Sequence, residues 1–254
     1  MAVVLRQGTI HPYSGMAPGK IRGPLSVGLL LLSRFTLGAF AKFVDVLRLA
    51  ADDGDRSRPI RCQWRIISPD MSPILSSCGV AITSHERIGD LRRFDYLIVV
   101  GGMLQEDSLL VDTRFDEHLR NAAALGIPLV ALCTGSFILH RAGLMGGCRC
   151  GVSWFHNSDF LRLFDGLQAV SDKIFVVDRD RLTCSGGAST AHLAAYLIDR
   201  HLGEGLAAKS LRIMMFDEAA KGETAQPTGS LEIVVRDEIL KRVVLLMQIT
   251  WTSR

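Results

Sequence analysis

The chain alternates between short apolar segments and longer segments with a helical repeat. The segments "SVGLLLL", "RCQWRIIS", "DYLIVVGG" and "IPLVALC" each have the length and composition of a strand. The first of them is apolar throughout, which is typical of a strand covered on both faces. We therefore predict four strands that lie in the interior of the molecule.

The segments between and after these strands have apolar residues three and four positions apart. This spacing predicts amphipathic helices in "TLGAFAKFVDVLRLAA", "RFDEHLRNAAALG", "GSFILHRAG", "ASTAHLAAYLIDRHLG" and "GLAAKSLRIMMFDEA". "KIFVVD" and "RLTCS" are predicted to form a hairpin. Alternating strands and helices with short connections indicate an α/β fold, with a mostly parallel sheet flanked by helices on both faces, as in flavodoxin-like proteins.

The pattern changes at both ends of the chain. Residues 1–24 are polar and rich in Gly and Pro, so we predict a flexible arm there. Residues 25–222 carry the α/β pattern and are predicted to form one ligand-sensing domain. Residues 223–254 are predicted to be a linker followed by an apolar and charged helix, "LEIVVRDEILKRVVLLMQ".

Composition narrows the class of protein. Hydrophobic residues make up 48% of 254 residues, which favours a folded globule, and the net charge of +3 does not indicate a nucleic-acid-coating surface. The six cysteines are irregularly spaced, which argues against a framework of disulfide bonds. We therefore expect reduced thiols and a cytoplasmic protein. The apolar run "VGLLLL", Val27 to Leu32, is too short to span a bilayer, so no membrane association is expected. Cys148 and Cys150 are too close for a structural zinc pair, and we expect no metal and no cofactor.

Three glycine-bearing turns follow predicted strands. They are Gly101–Gly102, Cys133–Thr134–Gly135 and Ser185–Gly186–Gly187. In a parallel sheet the carboxyl ends of strands meet at one edge, where ligands bind. Glycine lets the main chain approach a ligand closely, and the last two turns lead into helices whose first N–H groups are free. The sequence therefore predicts a pocket that favours an anionic group; tight turns without a ligand are the alternative.

Cys133 lies at the corner between a strand and a helix, where the helix dipole favours a thiolate. A catalytic thiol also needs a base, and His156 is the candidate, because His140 and His192 lie further along helices. Trp154 could be a core residue or the wall of a pocket for a cationic ligand.

The segments "DYLIVVGG", "PLVALCTGSFILHRAGLMGG", "VSWFHNSDF" and "RLTCSGGASTAHLAAYLIDRHLG" resemble the ThiJ/PfpI superfamily, which has a class I glutamine amidotransferase-like fold. They are most similar to the amino-terminal sensor domains of AraC/XylS-type, GlxA-like transcription regulators. The resemblance covers roughly residues 25–250. It implies that Cys133 is the elbow cysteine of the family.

The chain departs from the catalytic pattern that this resemblance implies. Relatives carry a His directly before the tryptophan, where this chain has Ser153, and a Glu soon after the first strand, where it has Arg34 and Thr36. The expected helix-turn-helix units are also missing after Met247. We therefore expect a sensor domain that ends at the linker and contacts DNA only through a module outside this sequence.

The leading hypothesis is a non-catalytic sensor for an amine or amino-acid-derived effector, which works as a homodimer. Phe35 or Thr36 would face Trp154 across the pocket. The predicted ligand-binding residues are Cys133, Thr134, Gly135, Gly102, Ser153, Trp154, Gly187 and Thr36. Two alternatives stay open: a cysteine hydrolase or glyoxalase-like enzyme that uses Cys133 and His156, and a pure dimerisation module or a remnant of a truncated gene.

Overall fold

A computed structural model describes residues 23–104, 113–164 and 168–227, together with Val243. The predicted arm, apart from Gly23 and Pro24, and the predicted C-terminal helix, apart from Val243, lie outside the described residues. No described helix is long and apolar enough to cross a membrane.

A seven-stranded sheet forms the centre of the described molecule. Its strand order is β10-β11-β7-β6-β1-β2-β5, and all neighbours are parallel except the β10–β11 hairpin. The seven strands are β1 (Leu25–Leu31), β2 (Cys62–Ser68), β5 (Glu86–Arg87), β6 (Tyr96–Val100), β7 (Leu129–Leu132), β10 (Phe175–Asp178) and β11 (Arg181–Cys184). The predicted parallel sheet is thus confirmed, and so is the predicted hairpin, which is formed by β10 and β11 at one edge of the sheet.

Two small sheets were not predicted from the sequence. An antiparallel hairpin joins β3 (Ile74–Leu75) to β4 (Ala81–Ile82), and a parallel pair joins β8 (Arg149–Gly151) to β9 (Gln168–Val170). These strands have only two or three residues, too few to show a period of two in the sequence.

Helices cover both faces of the sheet, as predicted. The six α-helices in the described residues are α1 (Leu37–Ala51), α2 (Asp116–Ala124), α3 (Gly135–Arg141), α4 (Asn157–Leu163), α5 (Ser189–Leu202) and α6 (Glu204–Ile213). Short 3-10 turns at Leu91–Arg93 and Trp154–His156 complete the described elements. The helix α4 was not predicted.

The sheet separates two hydrophobic cores, and successive strand residues enter them alternately. In β6, Ile98 packs in the core with α1, α5 and α6, whereas Leu97 and Val99 pack in the core with α2, α3 and α4. Strands buried on both faces read as continuous apolar runs, which is why the pattern predicted these elements.

The first four residues of the predicted linker remain attached to the domain. Residues 222–226 run beside the start of β10: Ile174 N donates to Thr224 O (2.9 Å), and Gln226 N donates to Asp172 O (2.8 Å). The predicted boundary at residue 222 therefore falls inside a segment that packs on the sheet; the division into domains otherwise stays a prediction.

Candidate functional site

Cys133 lies between the end of β7 and the start of α3, at the carboxyl edge of the sheet. Its φ of +57° places a residue with a side chain in the left-handed region. Such a conformation costs on the order of 1–3 kcal/mol and persists only where the surroundings enforce it. The half-buried thiol therefore lies on a strained residue at the edge where ligands bind in parallel sheets.

The three predicted glycine turns meet around this elbow. A β-carbon added at Gly101 would lie 2.1 Å from Gly135 N, and one added at Gly186 would lie 3.2 Å from Cys133 Sγ. Only glycine permits such close approach of main chains. The sequence prediction that the three turns share one edge is therefore confirmed.

Two of the predicted ligand-binding residues hold the turns together. Thr134 is buried, and its hydroxyl donates to the carbonyl of Gly102 (2.7 Å). Gly102 is enclosed by the main chain of Arg34, since an added β-carbon would lie 1.7 Å from Arg34 O. In this structure, therefore, the Thr134 hydroxyl is engaged in a hydrogen bond within the elbow, and Gly102 is packed against main chain.

Thr36 is the predicted residue that contacts the thiol. Its Oγ1 lies 3.6 Å from Cys133 Sγ. Phe35, the neighbour predicted to share this role, is fully buried and packs edge-to-face against Phe40, so it belongs to the core. Gly187, with φ +59°, is exposed at the entrance of α5.

A second thiol lies beneath the elbow. Burial raises the pKa of Cys184 to about 11, although backbone hydrogen bonds from Gly186 and Cys133 oppose this rise. The sequence did not single out Cys184, because a buried cysteine in a strand looks like any small apolar residue.

Ser153 and Trp154 form the turn before α4. Ser153 Oγ accepts from Phe155 N (3.3 Å), so it caps the turn, and Trp154 is 37% exposed. The described contacts do not join either residue to Cys133. Instead, Trp154 N donates to Gln226 Oε1 (3.0 Å).

Gln226 is a site neighbour that the sequence did not reveal. It is 7% exposed, and its Nε2 donates to Val152 O (2.8 Å) and to Lys173 O (2.7 Å). It lies in "TAQPTGS", a segment with the composition of a loop, so no local signal marks it as buried.

The candidate base, His156, contacts a carboxylate and not the Cys133 thiol. His156 Nδ1 lies 3.5 Å from Asp159 Oδ2, in the first turn of the adjacent helix α4. His140 stacks on Phe164, and burial lowers its pKa to about 4. His192 Nδ1 accepts from Ala220 N (3.1 Å).

Across residues 23–104, 113–164 and 168–227, the hydrogen bonds and ion pairs join no histidine or carboxylate to the Cys133 thiol. Within those residues, no three His, Cys, Asp or Glu side chains gather as a metal site. Cys148 Sγ instead accepts from Arg179 Nη2 (2.8 Å), and the pKa of Cys150 is raised to about 12 by burial.

The fold and the strained cysteine elbow define a class: an α/β sandwich with a thiol at the carboxyl edge of a parallel sheet. The DJ-1/PfpI family model matches residues 50–199, and the chain belongs to this family. The predicted resemblance and fold class are thereby confirmed.

Known relatives include regulators and an enzyme. The chain is 34% identical over 240 residues to the HTH-type transcriptional regulator GbdR of Pseudomonas aeruginosa; this alignment covers 93% of the chain and 63% of the regulator. The chain thus spans less than two thirds of that regulator. It is also 31% identical over 129 residues to the isonitrile hydratase of Pseudomonas putida, which covers 51% of the chain and 54% of that enzyme.

A solved structure supports the same assignment. The crystal structure of an AraC family transcriptional regulator from Pseudomonas putida is 26% identical, with a TM-score of 0.65. The match covers 75% of this chain and all of that one. Sequence comparison and structure comparison therefore each relate this chain to a transcriptional regulator.

Proposed function

We propose that this chain is the small-molecule-sensing part of an AraC-type transcriptional regulator and that it does not catalyse a reaction. The similarity to GbdR over 93% of the chain supports the regulator class. In such a regulator, effector binding changes the balance between two arrangements of the protein and thereby its contact with DNA. DNA contact would come through a helix-turn-helix module, and the working form would be a homodimer.

The proposal that the chain does not catalyse a reaction rests on the groups that surround the Cys133 thiol. Cys133 lies at a strained elbow, and the described polar neighbour of its sulfur is the hydroxyl of Thr36 (3.6 Å). A threonine hydroxyl does not take up a proton near neutral pH, whereas a cysteine nucleophile needs a base in reach. The elbow therefore offers a polar contact for a ligand without the partner that turnover requires.

The pocket chemistry favours an effector with an anionic end and a cationic end. Main-chain N–H groups at Gly135 and Gly187 would face the anionic end, because Gly135 begins α3 and Gly187 lies just before α5. Trp154, 37% exposed, would face the cationic end through its ring. Glycine betaine and L-arginine have this chemistry and are the first compounds to test.

The test is a thermal-shift titration of the purified chain with glycine betaine, L-arginine and related amines. A ligand at 100 times its Kd adds about 2.7 kcal/mol of stability, so a clear rise in Tm is expected. Cys133→Ser and Thr36→Val should weaken the shift. Cys78→Ser is the control thiol, because Cys78 is exposed and its described side-chain hydrogen bond joins it to Ser76 and not to Cys133. If no compound in a broad amine and amino-acid panel raised Tm, the proposal would be wrong.

An enzyme is the second candidate, because the isonitrile hydratase is 31% identical over half of the chain. In that case Cys133 would be the nucleophile and His156 would be recruited as base after a rearrangement of the turn that carries it. Turnover of an isonitrile or a dicarbonyl compound, abolished by Cys133→Ser and by His156→Gln, would replace the sensor proposal. Thermal stabilisation without turnover would retain it.

A further inference from the structure

Two cysteines meet where β7 and β11 end side by side. In the parallel pair that these strands form, Cys184 lies opposite Leu132, and Cys133 is the next residue along the chain. Because neighbouring strands lie about 4.8 Å apart and consecutive α-carbons about 3.8 Å apart, the α-carbons of Cys133 and Cys184 are roughly 6 Å apart. Disulfide bonds join cysteines whose α-carbons are about 4.4–6.8 Å apart. The backbone therefore places these two cysteines at a separation that a disulfide bond spans.

The Cys133 elbow leans over the end of β11. A β-carbon added at Gly186, two positions after Cys184, would lie 3.3 Å from Cys133 Cα and 3.2 Å from its Sγ. The main-chain N–H groups of Cys133 and Gly186 are hydrogen-bonded to the Cys184 sulfur. The Cys133 side chain also packs against the hydrophobic core that contains Cys184. Both side chains thus lie on the same face of the sheet, and the main chain of one residue contacts the sulfur of the other.

The two thiols differ in their exposure to solvent. Cys133 is half-buried, so a small oxidant can reach its sulfur, whereas Cys184 is fully buried. Burial raises the pKa of Cys184 to about 11, which keeps this thiol protonated and slow to react with an oxidant in solution. Oxidation therefore begins at Cys133 and reaches Cys184 only through Cys133.

We propose that Cys133 and Cys184 form a reversible disulfide bond within the chain when a peroxide oxidises the elbow. First, the Cys133 thiolate attacks one peroxide oxygen and the O–O bond breaks, which leaves a sulfenic acid on Cys133 and releases hydroxide. Next, the Cys184 sulfur attacks the Cys133 sulfur. The S–S bond forms, the S–O bond breaks, and the departing oxygen takes the Cys184 proton and leaves as water. The peroxide gains two electrons from the thiol pair, and a dithiol reductant reverses the change.

The proposal goes beyond sensing, because it assigns a covalent modification to the elbow. It has one consequence that rests on the proposed function. The thiol that an effector would contact is consumed in the disulfide, so the oxidised chain should lose the contact between Cys133 and a bound effector.

The experiment is peptide mass spectrometry on the whole 254-residue chain after treatment with hydrogen peroxide. Cys78→Ser serves as the parent, because Cys78 is an exposed thiol that could link two chains. The remaining thiols are alkylated in denaturant, and the chain is digested without reductant. We expect a cross-linked pair of peptides that contains Cys133 and Cys184, a monomer whose mass falls by two hydrogen atoms, and release of both thiols by dithiothreitol.

Two alanine variants separate the role of Cys184 from a general effect of core packing. In Cys184→Ala we expect loss of the disulfide, and Cys133 should be oxidised further to the sulfinic acid, which dithiothreitol does not reduce. Cys150→Ala is the matched control, because Cys150 is also a fully buried strand residue but belongs to the core on the other face of the sheet. The disulfide should form in this control as it does in the parent, and circular dichroism checks that each variant folds.

The parent chain decides the proposal even if Cys184→Ala does not fold. Sulfinic acid at Cys133 beside an intact Cys184 thiol, a disulfide with another cysteine, or a disulfide between two chains would overturn it. A Cys133 thiol that peroxide leaves unchanged would overturn it as well. None of these results depends on an effector, so failure here is distinguishable from failure of the sensing proposal.

Discussion

At the scale of single residues, the elbow depends on glycine, because glycine has no β-carbon. Gly102 faces the main chain of Arg34, and an added β-carbon would lie 1.7 Å from the Arg34 carbonyl oxygen. Main chain cannot move aside as the end of a flexible side chain can, so the glycine fixes the distance between the β1–α1 loop and the β6 turn. The position of Thr36 against Cys133 follows from that distance.

We expect Gly102→Ala to destabilise the protein by about 1–3 kcal/mol or more, because overpacking forces the main chain apart. Urea unfolding followed by circular dichroism measures the change in midpoint. Gly146→Ala is the matched control, since an added β-carbon there meets nothing within 4 Å. Equal midpoints for the two variants would show that the elbow is looser than its geometry implies.

At the scale of elements, α3 and α4 are joined by an aromatic cluster that contains a histidine. His140 of α3 stacks on Phe164 and contacts Phe160 edge-to-face, and Phe137 of the same helix also packs on both phenylalanines. No partner for His140 Nε2 is found among the described residues. The ring therefore has to stay neutral in the folded protein, because a buried charge without a partner is costly.

This packing predicts a loss of stability at mildly acidic pH. Burial lowers the pKa of His140 from the ordinary value of 6.5 to about 4. The stability that depends on the neutral ring is complete above pH 6.5 and falls as the pH drops toward 4, because the unfolded chain binds the proton first.

The check is a series of urea unfolding curves between pH 7 and pH 4. His140→Phe, which keeps an aromatic ring, should show a shallower fall in the free energy of unfolding over this interval than the wild type. His192 and His201 also have lowered pKa values through burial, so both proteins keep part of the slope. Parallel curves for the two proteins would show that His140 does not carry the effect.

At the scale of the whole molecule, the packing of the two cores divides the six cysteines into buried thiols and thiols that solvent reaches. Cys62, Cys148, Cys150 and Cys184 are buried, whereas Cys78 is exposed and Cys133 is half-buried. Burial raises the pKa of Cys62 and of Cys150 to about 12. The pKa of Cys78 is lowered instead, first by its hydrogen bond with the Ser76 hydroxyl.

We therefore expect iodoacetamide at pH 7.5 to label Cys78 first in the folded protein, then Cys133, and to leave the four buried thiols intact until the protein unfolds. Peptide mass spectrometry over a time course measures this order. The Cys78→Ser variant isolates the reaction of Cys133 and is the correct background for testing the enzyme alternative. Early labelling of Cys150 or Cys184 would show that a core opens far more readily than its packing indicates.

The sequence by itself determined the architecture and the place of the thiol. Runs such as "DYLIVVGG" and "IPLVALC" predicted strands within about two residues of their observed ends, because burial on both faces of a sheet leaves a local apolar pattern. Strands that end in glycine or cysteine turns predicted the shared edge around Cys133, since parallel strands point their carboxyl ends the same way. The short strands β3, β4, β5, β8 and β9 and the helix α4 lacked such a pattern and were missed.

Only the tertiary structure decided which groups surround the thiol and which groups hold the turns. Thr36 and Cys133 are 97 positions apart in the chain, and Gln226 and Trp154 are 72 apart. The left-handed conformation of Cys133 is likewise imposed by neighbours, because no local preference puts a cysteine there. Periodicity reports whether a residue is buried, but the partner of a polar atom is fixed by chain segments that meet only when the molecule folds.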